Sequence, residues 1–117
     1  MSGGVPNGFA NTPPPPYYAV IFTSQRTDGD NGYAAMSERM VDLALKSPGC
    51  LGAESVRGAD GFGITVAYFR DVESIQIWRT NVDHLGAQRL GKERWYANYQ
   101  LRIAKVERDY SGPAGRL

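Results

Sequence analysis

Two periodicities alternate along this chain and divide it into six elements. Tyr17-Tyr-Ala-Val-Ile-Phe-Thr-Ser-Gln-Arg26 is rich in aromatic and β-branched residues and reads as a strand. Its faces are Tyr17, Ala19, Ile21, Thr23 and Tyr18, Val20, Phe22, Ser24, and neither is clearly polar. Thr27–Gly32 is dense in turn formers, with Asp28, Asp30 and Asn31 as candidate caps for a following helix. Tyr33, Met36, Met40, Leu43 and Ala44 then fall at helical spacing through Lys46, with the two methionines read as core filler. Ser47-Pro48-Gly49 stops that helix.

Cys50–Arg57 and Phe62–Arg70 read as two strands of a hairpin turned at Asp60-Gly61. In the second, Phe62, Ile64, Val66 and Tyr68 alternate with Gly63, Thr65, Ala67 and Phe69, so both faces are again largely apolar. Asp71 is placed to cap a second helix, with Glu73 in its first turn and Val72, Ile75, Trp78 and Val82 as its buried stripe. A helix-compatible pattern continues over Asn81–Lys92, weakened by Gly86 and Gly91, and Glu93–Tyr96 reads as a short helical turn. Ala97–Tyr110 reads as the last strand, with Tyr99, Leu101 and Ile103 on one face and Gln100, Arg102, Ala104 and Val106 on the other.

The order β-α-β-β-α-β predicts an α+β, ferredoxin-like domain: a four-stranded antiparallel sheet with both helices on one face. Two helices cover one face only, whereas several strands are apolar on both. A second copy of the same sheet is the economical cover, which predicts a symmetric homodimer.

The folded unit is then Tyr17–Tyr110. Residues 1–16 read as a flexible Pro/Gly-rich arm whose Pro13–Pro16 run favours polyproline II, and residues 111–117 as a tail. A length of 117 residues fits one domain, and 42% hydrophobic with 21% charged residues is ordinary for a globular chain. Thirteen Lys plus Arg against twelve Asp plus Glu leave a net charge of +1, which argues against nucleic acid and against an electrostatic membrane anchor. No apolar run approaches the ~20 residues of a membrane span. Met1–Asn11 has neither the basic residues nor the apolar core of a secretory signal. One Cys and one His rule out an intrachain disulfide and a structural zinc cluster, so no metal site is expected and a reducing, cytoplasmic setting is.

Candidate chemistry concentrates in Trp78–Tyr99, which holds both tryptophans, the single histidine and two tyrosines. On one continuous helix, His84, Gln88, Gly91 and Trp95 would share a face. Three readings of His84 stand side by side: a satisfied structural histidine, a proton acceptor titrating near neutral pH, and an axial ligand to haem iron. Trp78 and Trp95 are core residues or the walls of an apolar pocket. The chain has no phosphate-cradling glycine loop and no Gly-x-Ser-x-Gly, and Cys50 reads as a small buried residue at a strand start.

Across Tyr17–Tyr110 the sequence resembles the antibiotic biosynthesis monooxygenase (ABM-type) family of dimeric α+β barrel proteins. The likeness lies in Tyr17-Tyr-Ala-Val-Ile-Phe, Ser47-Pro-Gly-Cys-Leu-Gly-Ala-Glu-Ser55, Gly61-Phe-Gly-Ile-Thr-Val, Trp78 with His84, Trp95-Tyr-Ala-Asn-Tyr, and Val106-Glu-Arg-Asp-Tyr110. The resemblance implies a homodimer joined through its sheets and a cavity between sheet and helices. It further implies cofactor-independent monooxygenation of a small aromatic quinol or polyketide-like phenol by O2. In that reading His84 is the proton acceptor, with Trp78 beside it as a catalytic candidate. Phe22, Trp95, Tyr99 and Arg102 are the candidate substrate-binding residues. A related branch degrades haem, and Trp78 and His84 match its residue types, but Tyr17–Arg26 lacks the Asn that branch carries. Haem binding through His84 is therefore the alternative, and a non-catalytic dimeric ligand binder is another.

Overall fold

The computed structural model describes residues 8–29, 32–84 and 95–112, leaving out the side chains at 36, 37, 83 and 84. Its elements are β1 (Tyr17–Arg26), α1 (Tyr33–Lys46), β2 (Cys50–Arg57), β3 (Phe62–Phe69), α2 (Val72–His84) and β4 (Tyr96–Val106). The four strands form one antiparallel sheet in the order β2-β3-β1-β4, the ferredoxin-like arrangement that the pattern predicts.

Pairing fixes which side chains share a face. Val20 stands opposite Ala67 and Ile103, and Phe22 opposite Thr65 and Leu101. Ala53 of β2 pairs with Ala67 in turn. Side chains alternate along a strand, so these residues share the helix-covered face. Tyr17, Ala19, Ile21, Tyr68, Val66 and Ile64 take the other. The core between sheet and helices is Val20, Ala53, Ala67, Phe69 and Ile75, with Tyr18, Leu45, Cys50 and Trp78 packed against it.

The elements differ from the sequence reading at their ends. Gly32, not an Asx residue, occupies the N-cap of α1, with φ 84° and no side-chain cap bond. Glycine adopts that left-handed conformation readily, and Asp28 lies four residues too early to cap. Asp30 and Asn31 lie outside the described residues. Asp71 does cap α2, its Oδ1 accepting from the Ser74 backbone N–H at 2.8 Å and from Ser74 Oγ at 2.6 Å. These hydrogen bonds, Ser74 Oγ foremost, hold the Asp71 carboxyl below its ordinary pKa. In α2, Ile75 and Val82 are buried as the stripe requires, but Val72 is 44% exposed. Six residues at 3.6 per turn put Val72 about 120° around the axis from Trp78, at the stripe's far margin.

Tyr96 is the first residue of β4 rather than part of a helical turn, and β4 ends at Val106 instead of Tyr110. The Trp95 carbonyl accepts from Thr27 N at 2.8 Å and Arg26 Nε at 3.0 Å, which draws this entry into β4 onto the end of β1. Gly49 sets a second junction. It has φ 82°, and a Cβ there would lie 2.0 Å from Ser74 Oγ, so only glycine lets the start of β2 pass this close to α2. No described helix is long and apolar enough to cross a membrane.

Candidate functional site

The helix-covered face of the sheet is floored by small residues. Ala53 and Ala67 lie on adjacent strands, and Ala44 of α1 also borders the space above them. Three alanines cannot fill that space, and a cavity of about 370 Å³ results, within the range of small-molecule sites. Its walls are mostly aromatic and aliphatic: Phe22, Tyr33, Met40, Val41, Trp78, Val82, Trp95, Tyr96, Tyr99 and Leu101.

Four of the residues singled out from sequence meet here. Phe22 packs against Tyr99 with ring centroids 5.6 Å apart and against Tyr96 at 5.2 Å. Trp95 is 3% exposed and meets Tyr33 edge-on at 5.8 Å. Trp78 leans on the fully buried Phe69 at 5.6 Å. Its indole N–H is sealed from solvent and has no hydrogen-bond partner among the described residues. An atom with no accessible surface cannot be reached from the open space, so Trp78 lends the cavity its ring and not its N–H.

Two predicted residues stand apart. Arg102 pairs with Ile21 on the opposite face of the sheet, is exposed, and donates to Gln100 Oε1. Strand alternation puts it outside the cavity, so it does not line the cavity as a substrate-binding residue would. His84 is the last residue of α2, two positions beyond the cavity-lining Val82, and its side chain lies outside the described residues. Gln88 and Gly91 lie outside them too. Met40, read as core filler, is a cavity wall instead. Cys50 is half-buried and takes no part in the lining; burial pushes its thiol pKa up.

The sequence reading missed the polar end of the cavity. Arg57 ends β2, and its guanidinium donates to the Ser24 carbonyl (3.3 Å), to Ser24 Oγ (2.7 Å) and to the Gly61 carbonyl. Tyr33 opens α1 beneath the Arg26 guanidinium, whose carbon lies 3.7 Å from the ring centroid, a cation–π distance. Tyr96 packs edge-on to Tyr33 at 5.9 Å and shares a side-chain hydrogen bond with it. Burial, then Tyr33, raises the Tyr96 phenol well above its ordinary pKa, so it is neutral near pH 7 and able to donate. No local motif announces this group. It forms because the end of β1, the end of β2 and the starts of α1 and β4 converge at one end of the sheet.

No family model matches the chain. It is 50% identical over 99 residues to the uncharacterized protein YqjZ of Bacillus subtilis, covering 85% of this chain and 87% of that one. Among solved structures it is similar to a variant of SnoaB, a cofactor-independent oxygenase from Streptomyces nogalater. That match has a TM-score of 0.67 at 8% identity, over 80% of this chain and 95% of SnoaB. It is also similar to a Bordetella bronchiseptica protein assigned as an antibiotic biosynthesis monooxygenase. There the TM-score is 0.59 at 17% identity, over 77% of this chain and 96% of that one.

Proposed function

Since the chain belongs to the family of YqjZ and has the antibiotic biosynthesis monooxygenase fold, we propose that it is a cofactor-independent monooxygenase. Its substrate class is a small electron-rich phenol or quinol, bound in the cavity under the helices, and its working form is a homodimer. The observation that carries the reading is the aromatic chamber of about 370 Å³ between sheet and helices.

The chemistry sets three requirements. The phenol must lose its proton, because the phenolate passes an electron to O2 far more readily. Bulk water must be excluded, so that the radical pair recombines to a peroxide on the ring. A donor must then meet the negative oxygen that develops. His84 is assigned the first task, as the single side chain of its type and close in sequence to Val82 of the cavity wall. Phe22, Trp78, Trp95 and Tyr99 supply the apolar enclosure, and the neutral Tyr96 phenol of the cavity wall is the donor that meets the oxygen. The peroxide collapses with loss of water. One oxygen atom enters the substrate and the other leaves as H2O, with all electrons taken from the substrate. A hydroquinone thus becomes a hydroxyquinone.

Oxygen uptake with a panel of benzo- and naphthohydroquinones tests this against heat-inactivated protein. Saturable uptake above that control supports it. Uptake no faster than the control, with hydroquinones nevertheless bound, would leave a ligand binder. A Soret shift on adding hemin, lost in His84→Ala, would favour haem through His84 instead.

A further inference from the structure

The lining of the cavity carries a charge imbalance. Arg57 and Arg79 both border it, and no Asp or Glu does among the described residues. Arg79 is exposed, whereas Arg57 is half-buried. Its hydrogen-bond acceptors among the described residues are all neutral oxygens, two carbonyls and one hydroxyl, and its guanidinium carbon also lies 6.0 Å from the Tyr33 ring centroid. Those three bonds use both hydrogens of Nη1 and one of Nη2. The guanidinium has five N–H groups, so the Nε–H and one Nη2–H have no acceptor among the described residues. These two lie along one edge of the group, the fork that takes a carboxylate with two parallel hydrogen bonds.

The surroundings also hold Arg57 in place. A Cβ on Gly63 would lie 2.8 Å from Arg57 Cζ, so the guanidinium occupies room that glycine leaves. Ser24, 2% exposed, grips it from β1 with both its hydroxyl and its carbonyl. A half-buried cation is usually matched by a carboxylate of the protein, and this one is matched by none among the described residues.

We propose that the ligand of this cavity is an aromatic acid, a flat ring system bearing an ionised carboxylate that sits on the free edge of Arg57. The inference rests on the reading of the cavity as a ligand chamber and names the class of ligand within it. The ring lies among Phe22, Trp78, Trp95 and Tyr99, and the carboxylate supplies the missing counter-charge. An oxygenase built this way selects hydroxyaryl acids over neutral phenols of the same shape.

Calorimetric titration of the full-length chain with 2-naphthoate and with its neutral isostere, naphthalene-2-carboxamide, separates charge from shape. The acid is expected to bind tighter by roughly tenfold or more, the scale of a charge-assisted pair. Arg57→Gln is expected to erase that preference while leaving the amide affinity in place. Arg57→Lys keeps the charge without the fork and is expected to fall between. Should Arg57→Gln fail to fold, the acid-to-amide ratio of the native chain and of Arg57→Lys still decides the matter. Equal affinities for acid and amide would overturn the aromatic-acid assignment alone and leave the chamber intact. A preference for the acid that survives Arg57→Gln would overturn it as well. Binding of neither compound, nor of any hydroquinone, would overturn the chamber itself.

Discussion

The two faces of the sheet are built from similar side chains and end in different states. On the helix-covered face, Val20, Ala53, Ala67 and Phe69 are buried, and the space above the alanines is enclosed as a cavity. On the other face, Val56 is 71% exposed, Phe62 47% and Ile64 39%. Among the described residues, one end of that second face is covered within the protomer. There Tyr17 OH donates to Asp109 Oδ2 at 2.6 Å and Tyr68 OH to Glu54 Oε1 at 2.7 Å. Segment 10–12 reaches the same place, where Ala10 N donates to Glu54 Oε2 at 2.9 Å and Thr12 Oγ1 to Tyr17 OH at 3.2 Å. Composition alone therefore does not say what a sheet face is for. One face is closed by its own chain around a void, and the other leaves apolar surface in water.

The proposed homodimer makes the second face the larger target. Ile64→Asp places a charge where the partner sheet would lie, at a cost of several kcal/mol, and is expected to weaken dimerisation on the order of a thousandfold or more. Analytical ultracentrifugation at low micromolar concentration checks this. A native chain that is already a monomer there would remove the reason for the bare face. For the first face, His84→Ala is expected to lower oxygenation by about 10²–10⁴-fold, the contribution of a general base, with the melting curve unchanged. Steady-state oxygen uptake against a circular-dichroism melt reads both quantities.

Stability draws the same contrast on a smaller scale. Phe69→Ala empties a fully buried site and is expected to cost about 3–5 kcal/mol. Val56→Ala is expected to stay within roughly 0.5 kcal/mol in a chain kept monomeric by Ile64→Asp. Urea denaturation of the two variants in that background measures the pair.

The smallest expected effect is a pH dependence. Tyr96 has its folded-state pKa raised above the unfolded value of about 10, so the folded state holds that proton more tightly. The resulting stability is fully present below pH 10 and is lost as pH rises past it. Tyr96→Phe removes this contribution. Denaturation between pH 8 and 11 is expected to show a shallower alkaline decline in the variant than in the native chain. Parallel curves would mean that Tyr96 is solvated.

Much of this architecture was legible in the residues themselves. The strands over 17–26 and 50–57 and the helix over 33–46 begin and end where alternation, helical spacing and breakers put them. Both-sided apolar strands pointed to an uncovered face. Trp78, Trp95 and Tyr99 stood out as one aromatic stretch, the resemblance added Phe22, and all four border the cavity. What stayed hidden depended on register. Arg102 and Arg57 look equivalent along the chain, each a lone arginine in a strand. Strand parity sends the first to the outer face with Ile21, while the second ends β2 opposite Gly63 beside the cavity. Of the helical turn expected over Glu93–Tyr96, Glu93 and Arg94 lie outside the described residues, and Tyr96 is strand because the Trp95 carbonyl before it is tied to Thr27 N and to the Arg26 side chain.

The difference between the faces comes down to whether the enclosed one performs oxygenation, and the product of a single hydroquinone decides that. Native protein and 1,4-naphthohydroquinone are incubated in air with a chelator present, and the quinone formed is identified by mass while hydrogen peroxide is assayed in parallel. The expected result is a hydroxylated naphthoquinone, one O2 consumed for each molecule formed, and no hydrogen peroxide. Unhydroxylated naphthoquinone with an equivalent of hydrogen peroxide would contradict the account, because O2 would then have taken electrons without its oxygen entering the ring.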